Sequence, residues 1–101
     1  MTDGYTVIVA PEVLVEVATI VSWWRRNRTA SPGLFTRELD RALVQLSERP
    51  EVGRRLRTRE LGDARALVLL RSGYRLFYQV RADTREVRVV HVRHSRRAPP
   101  R

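Results

Sequence analysis

Arg71-Ser72-Gly73-Tyr74-Arg75-Leu76-Phe77-Tyr78-Gln79-Val80 is the stretch that decides the fold. Ser72-Gly73 reads as a turn. The seven residues after it include three aromatic side chains and a β-branched one, so Tyr74 to Val80 reads as a strand. Immediately upstream, Arg65 to Arg71 encloses Ala66-Leu67-Val68-Leu69-Leu70, an unbroken apolar run that predicts a strand buried on both faces. Downstream, Ala82 to Arg85 is a second turn, and Glu86 to about Arg93 is a third strand. Three consecutive strands joined by short turns form an antiparallel sheet.

The first half of the chain reads differently. Tyr5-Thr6-Val7-Ile8-Val9 is a short strand, and Pro11 then suits the first turn of a helix, where its missing N–H costs nothing. From Glu12 to about Arg28, Leu14, Val17, Val21 and Trp24 recur at helical spacing, with Ile20 and Trp23 widening the stripe. Trp23 and Trp24 are adjacent and fall on different sides of that helix, so one belongs to the core and the other to the surface. Thr29 to Gly33 is a break. Ser31-Pro32 predicts an N-cap and first turn for a second helix, from about Pro32 to Ser47, with a stripe of Phe35, Leu39, Leu43 and Leu46. The short break makes the two helices an antiparallel hairpin. Residues 51–63, with Arg54, Arg55, Arg57 and Arg59, are expected to form a loop or a short edge strand. The predicted fold is α+β: an N-terminal strand and helical hairpin on a small antiparallel sheet, in the order β-α-α-β-β-β, with residues 95–101 as a flexible basic tail.

Composition narrows the function. At 101 residues the chain is one domain's worth. It buries little more than about 60% of its unfolded surface, which favours a shallow site or partner groove over a deep cavity. No cysteine is present, so disulfides and thiolate metal sites are excluded. No apolar run approaches the ~18 residues of a membrane span. The start, Met1-Thr2-Asp3-Gly4, lacks the features of a signal peptide, and a cytoplasmic location is expected. No glycine-rich phosphate loop occurs, and the only two histidines, His91 and His94, are three apart on a strand and face opposite sides. Neither a cofactor nor a metal is expected. Twenty basic residues, all arginine, stand against eleven acidic ones, a net charge of +9. Genome base composition accounts for arginine in place of lysine, but not for the excess of charge. That excess implies an anionic partner, nucleic acid or acidic protein.

The motifs are also similar to those of a known family. Gly73-Tyr74-Arg75-Leu76-Phe77-Tyr78-Gln79-Val80 resembles the "GYR-hydrophobic-hydrophobic-Y-x-V" strand of RelE/ParE toxins. Val89-Val90-His91-Val92-Arg93-His94-Ser95-Arg96-Arg97 resembles that superfamily's "V-hydrophobic-x-V-x-H-x-R-R" ending. Leu43, Leu46, Pro50 and Gly53 fit its "L-x-x-L-x-x-x-P-x-x-G" junction. The resemblance implies the toxin half of a type II toxin–antitoxin pair that inhibits growth. It also implies a cognate antitoxin, which wraps an acidic, otherwise disordered segment around the toxin in a possible heterotetramer. It offers two targets, DNA gyrase for ParE-like members and messenger RNA on the ribosome for RelE-like members.

The two targets ask different things of the residues. Metal-free RNA cleavage needs a base for the 2′-hydroxyl, charge stabilisation and an acid for the leaving oxygen. By resemblance Arg75 matches the family's strand arginine and Arg96 or Arg97 its C-terminal arginine, and His94, a side chain whose unperturbed pKa is near neutrality, could substitute as acid or base. The C-terminal tyrosine common in RelE-like toxins is absent. If Arg81 pairs with Glu86, Arg75 faces Val92 and His94 lies diagonal to Arg75 on the same face, roughly 7–8 Å away, close enough to embrace one phosphate. A one-residue slip would separate them. The plainer readings are a salt bridge from Arg75 to Glu60 or Asp63, a strand-end His94, a structural His91, and sheet-packing roles for Tyr74 and Tyr78. The helical hairpin, the missing tyrosine and the tail favour the ParE-like branch. On that branch Arg75, Arg93, Arg96, Arg97 and Trp23 bind target or antitoxin and do no chemistry. A non-toxic basic nucleic-acid-binding module is the third reading.

Overall fold

The computed structural model describes residues 4–101. The expected absence of a signal peptide in the first three residues lies outside them. The order is β1 (Thr6–Val9), α1 (Pro11–Asn27), α2 (Leu34–Glu48), β2 (Arg54–Thr58), β3 (Gly62–Leu69), β4 (Tyr74–Arg81) and β5 (Glu86–His94). The five strands form one sheet in the order β1-β5-β4-β3-β2. Neighbours from β2 to β5 are antiparallel, while β1 lies parallel to β5; the two helices carry the chain from β1 at one edge of the sheet to β2 at the other.

The alternative left open for residues 51–63 resolves as an edge strand. The arginines of β2 alternate with Leu56, and Arg57 pairs with Asp63 across the β2–β3 ladder at 3.6 Å. Charge on an edge strand suits its position, because it discourages pairing with another chain. The neighbouring strand β3 departs from expectation. Leu69 is buried, but Val68 is 47% exposed and Leu70, just beyond the strand, is 85% exposed. Only one side of β3 is covered by helix, so its apolar run is not buried on both faces.

Both helices lie on that one side. The core unites Val13 and Trp24 of α1 with Phe35, Leu39, Ala42 and Leu46 of α2, over Leu69, Leu76, Tyr78, Val87, Val89 and Val92 of the sheet. The α1 stripe is rotated from the expected one. Val13 is fully buried and Leu14 is 56% exposed, because Ala10, whose N–H bonds to Val89, fixes how the helix leaves the sheet. Trp24 is the core tryptophan and Trp23 the surface one. Helix α2 begins two residues later than expected, with Gly33 at its N-cap and no side-chain cap from Ser31.

The Tyr78 hydroxyl holds the junction between helices and sheet. It is fully buried, donates to the Pro50 carbonyl at 2.8 Å and accepts the Gly53 N–H at 2.8 Å. A Cβ at Gly53 would lie 2.5 Å from that hydroxyl and 2.8 Å from the Ala66 carbonyl, so glycine is required there. Arg65, the cross-strand partner of Tyr78, adds bonds to the carbonyls of Glu51 and Gly53. Replacement of Tyr78 by Phe orphans a buried N–H and a buried carbonyl. It is expected to lower the unfolding free energy by about 1–3 kcal/mol in urea titrations at unchanged slope. Burial holds the Tyr78 phenol above its usual pKa. Its contribution is therefore complete below about pH 10, the unfolded value, and falls as pH rises through the higher folded value. A Y78F chain as stable as the parent would contradict this role.

Candidate functional site

The residues singled out in the sequence lie at the Gly73 end of β4, the His94 end of β5 and the segment after it. Their arrangement turns on one irregularity. Arg81 does pair with Glu86, Gln79 with Arg88 and Tyr78 with Val89. Phe77 then pairs with His91, leaving Val90 as an extra residue in β5. This β-bulge moves every later pair by one, so Arg75 faces Arg93, not Val92, and Tyr74 faces His94. The expected Arg75–His94 pair therefore does not form. Because side chains alternate across a sheet, the slip puts the two on opposite faces.

On the helix-covered face, the His94 ring meets Tyr74 edge-on at 5.2 Å, and Tyr74 in turn meets Phe35 at 5.0 Å. His94 Nδ1 accepts the Arg96 N–H at 3.2 Å, which leaves the ring proton of a neutral imidazole on Nε2. The ring lies against Gly73, where an added Cβ would stand 3.2 Å from Nε2. Gly73 also has a φ of +84°, so glycine satisfies both the turn and the close approach. His94 borders two clefts. One runs along α1 past Val15, Ile20 and Arg97; the other reaches Trp23, Trp24, Arg71 and Arg96.

On the other face, Arg75 makes neither of the salt bridges considered for it. Its guanidinium donates to the carbonyls of Arg97 at 2.9 Å and Ser95 at 3.4 Å, and lies 5.3 Å over the Phe77 ring. Glu60 pairs instead with His91 at 3.2 Å, and Asp63 with Arg57. Arg93 donates to the Ala98 carbonyl at 3.2 Å. Two of the candidate arginines thus tie down the tail, which runs back across this face as far as a buried Pro100 and a bond from Glu60 N–H to the Arg101 carbonyl. Arg96 and Arg97 have no acidic partner within salt-bridge distance among the described residues. No helix among the described residues is long and apolar enough to cross a membrane, and they contain no cluster of potential metal ligands.

One contributor escaped the sequence reading. Glu38 of α2 accepts the N–H groups of Arg71 at 2.9 Å and Ser72 at 2.7 Å, and so fixes the turn that presents Gly73, Tyr74 and Arg75. Its only signal in the sequence is an acid beside the α2 stripe, which ordinarily means a solvated helix face.

Comparison with known proteins gives a consistent result. A family profile described as the ParE toxin of type II toxin–antitoxin system, parDE, matches residues 7–99. Curated proteins give no match. Among solved structures, the chain is similar to the intact E. coli RelBE toxin–antitoxin complex, with 26% identity and a TM-score of 0.60 over 92% of this chain and 99% of that one. It is also similar to the isolated E. coli RelE toxin, at 27% and 0.56 over 93% and 87%. A free E. coli RelE carrying two arginine-to-alanine changes matches at 26% and 0.58 over 91% and 84%.

The Glu38 clamp is testable through pH. Burial alone would raise the Glu38 pKa. The Arg71 and Ser72 N–H groups and the Arg71 charge outweigh it and hold the pKa below its ordinary value. Stability from this group is therefore complete above the unfolded pKa, about 4.3, and is lost as pH falls through the depressed folded value. Glu38→Gln should lower stability at pH 7 by about 1 kcal/mol. The gap between variant and parent should close in acid. A gap that persists unchanged at pH 2 would show that the carboxylate charge is not what holds the turn.

Proposed function

The chain belongs to the ParE toxin family of type II toxin–antitoxin systems, and from that premise we propose that it arrests growth by binding DNA gyrase and not by cutting RNA. The observation that carries this reading is the bulge at Val90. An RNA-cleaving site would need Arg75 and His94 on one phosphate, whereas they stand on opposite faces of the sheet. Arg75 is further committed to the carbonyls of Ser95 and Arg97. A general acid–base reaction needs its groups within hydrogen-bond reach of the same substrate. Binding makes no such demand, and a tail held against the sheet with Arg96 and Arg97 exposed offers a cationic surface for a protein target.

The partner that silences the toxin is its antitoxin. We place its docking on the side of α1 that faces the α1–β5 cleft, where Val15 and Trp23 are 68% and 39% exposed. Apolar anchors in a groove with a basic surround suit an acidic segment that folds as it binds. We propose further that the toxin acts in the cytoplasm and pairs with its antitoxin as a heterotetramer.

One observation favours the runner-up, a ribosome-dependent endoribonuclease: the similar solved structures are RelE toxins. His94 also remains near Arg96 and Arg97.

Induction of the chain in a growing bacterium separates the two. Growth arrest with a DNA-damage response and intact transcripts is expected. Rapid mRNA cleavage without that response would transfer the protein to the nuclease reading. For the antitoxin surface, Val15→Asp should weaken antitoxin binding at least about tenfold by calorimetry without unfolding the toxin. Unchanged affinity would move the docking site elsewhere.

A further inference from the structure

The cleft beyond His94 is the largest of five surface cavities compared, with a volume of about 620 Å³. It lies where the end of α1, the β3–β4 turn and the segment after β5 meet. Arg28 comes from the first, Arg71 from the second and Arg96 from the third, with His94 at the end of β5 beside it. No acidic residue lines it, whereas each of the other four cavities has at least one: Glu38, Glu48, Glu16, or Asp63 with Asp83. None of its three arginines has an acid within salt-bridge distance among the described residues.

A second observation points into the same place. Trp24, which lines the cavity, is 6% exposed, and its buried indole N–H has no hydrogen-bond acceptor among the described residues. Buried donors are nearly always satisfied, so an orphan beside a cationic cavity asks for an acceptor. The indole and the guanidiniums can only donate. A neutral His94 carries its proton on Nε2, since Nδ1 already accepts from Arg96. The polar lining is therefore dominated by groups that want lone pairs and negative charge.

We propose that this cavity is a phosphate-binding site that takes the phosphate monoester of a nucleotide. Phosphate is favoured over carboxylate by the number and spread of the donors. A carboxylate is planar, with two oxygens, and is commonly met by one arginine fork. Three guanidiniums approaching from three separate elements match a tetrahedral anion with three terminal oxygens and close to two charges. Trp23 at the rim, with Arg28 5.5 Å from its ring centre, supplies the aromatic surface on which a base stacks. The site is independent of which target the toxin attacks.

The chain's two tryptophans, Trp23 and Trp24, both line this cavity, so intrinsic fluorescence of the full chain reports on it directly. Titration at fixed ionic strength with inorganic phosphate, AMP, adenosine and glutamate is the test. Phosphate and AMP should each change the emission saturably, with Kd near or below about 1 mM. AMP binding more tightly than phosphate identifies a nucleotide, and equal affinities identify the phosphate group alone as the ligand. Adenosine should not bind. Arg96→Ala and Arg71→Ala should each weaken binding about tenfold, and Trp24→Phe, which keeps the ring and removes only the N–H, several-fold. Arg96 is exposed, so its variant keeps the fold intact. No saturable response to phosphate or AMP, undiminished binding in R96A, or glutamate binding as tightly as phosphate would each overturn the proposal. The last result would identify an acidic peptide as the occupant.

Discussion

The buried Tyr78 hydroxyl is where the two halves of the molecule are fastened. The helical half reaches the sheet through the residues after α2, and that link carries backbone groups that must be satisfied as they pass beneath the core. Tyr78 takes one donor and one acceptor from it, Gly53 N–H and the Pro50 carbonyl, and cross-strand Arg65 takes two more carbonyls. A buried hydroxyl with both functions used stabilises modestly, but leaving its partners unmet costs more. The constraint propagates in both directions. It sets where β2 begins its pairing with β3, and it fixes the height at which α2 leaves the sheet with Leu46 and Phe35 facing inward. It also explains why two short motifs, separated in sequence, occur together: Pro50 and Gly53 of one and Tyr78 of the other are one contact.

From Tyr78 onward β5 is out of step by one residue. The bulge at Val90 follows directly after the pair that Tyr78 makes with Val89. Below it, the buried faces of β4 and β5 are set by Tyr78, Val87 and Val89. Above it, the shift keeps Val92 inward opposite Leu76, turns His94 toward Tyr74 and sends Arg93 to the side of Arg75. The end of the sheet is thereby divided. One face holds an imidazole among aromatic rings under the helices. The other holds arginines whose forks are occupied by the carbonyls of the tail. Glu38 completes the arrangement from α2 by fixing the turn between β3 and β4, so a helix, a turn and a tail are coupled at one corner of the fold.

Charge acts on top of this architecture. With only two salt bridges among the described residues, most arginines are left to solvent or to partners. Surface charge of this kind contributes little to stability. It raises the rate and the salt dependence with which anionic surfaces are met. A toxin that pairs with an antitoxin meets an acidic segment faster with a surface of this excess charge, as proposed above. Where that surface is concave and lacks acids, as beneath His94 and Arg96, the same charge becomes a site.

The local sequence carried most of the fold. Alternating and helical periodicities, Pro11, and the turns at Ser72-Gly73 and Ala82 to Arg85 are readable because each depends on neighbours a few residues away. The charge and the absence of cysteine are likewise complete in the sequence, as is the family resemblance carried by Gly73 to Val80. Only the tertiary structure decided the rest. The rotation of α1 that buries Val13 and exposes Leu14 depends on how Ala10 hangs from β5. The service of Glu38 to a turn thirty-odd residues away leaves no local mark. The split between Arg75 and His94 comes from one extra residue in one strand, and strand periodicity has no term for a bulge: the pairing at Arg81 and Glu86 was legible, but its continuation depended on how Tyr78 and its neighbours packed against the helices.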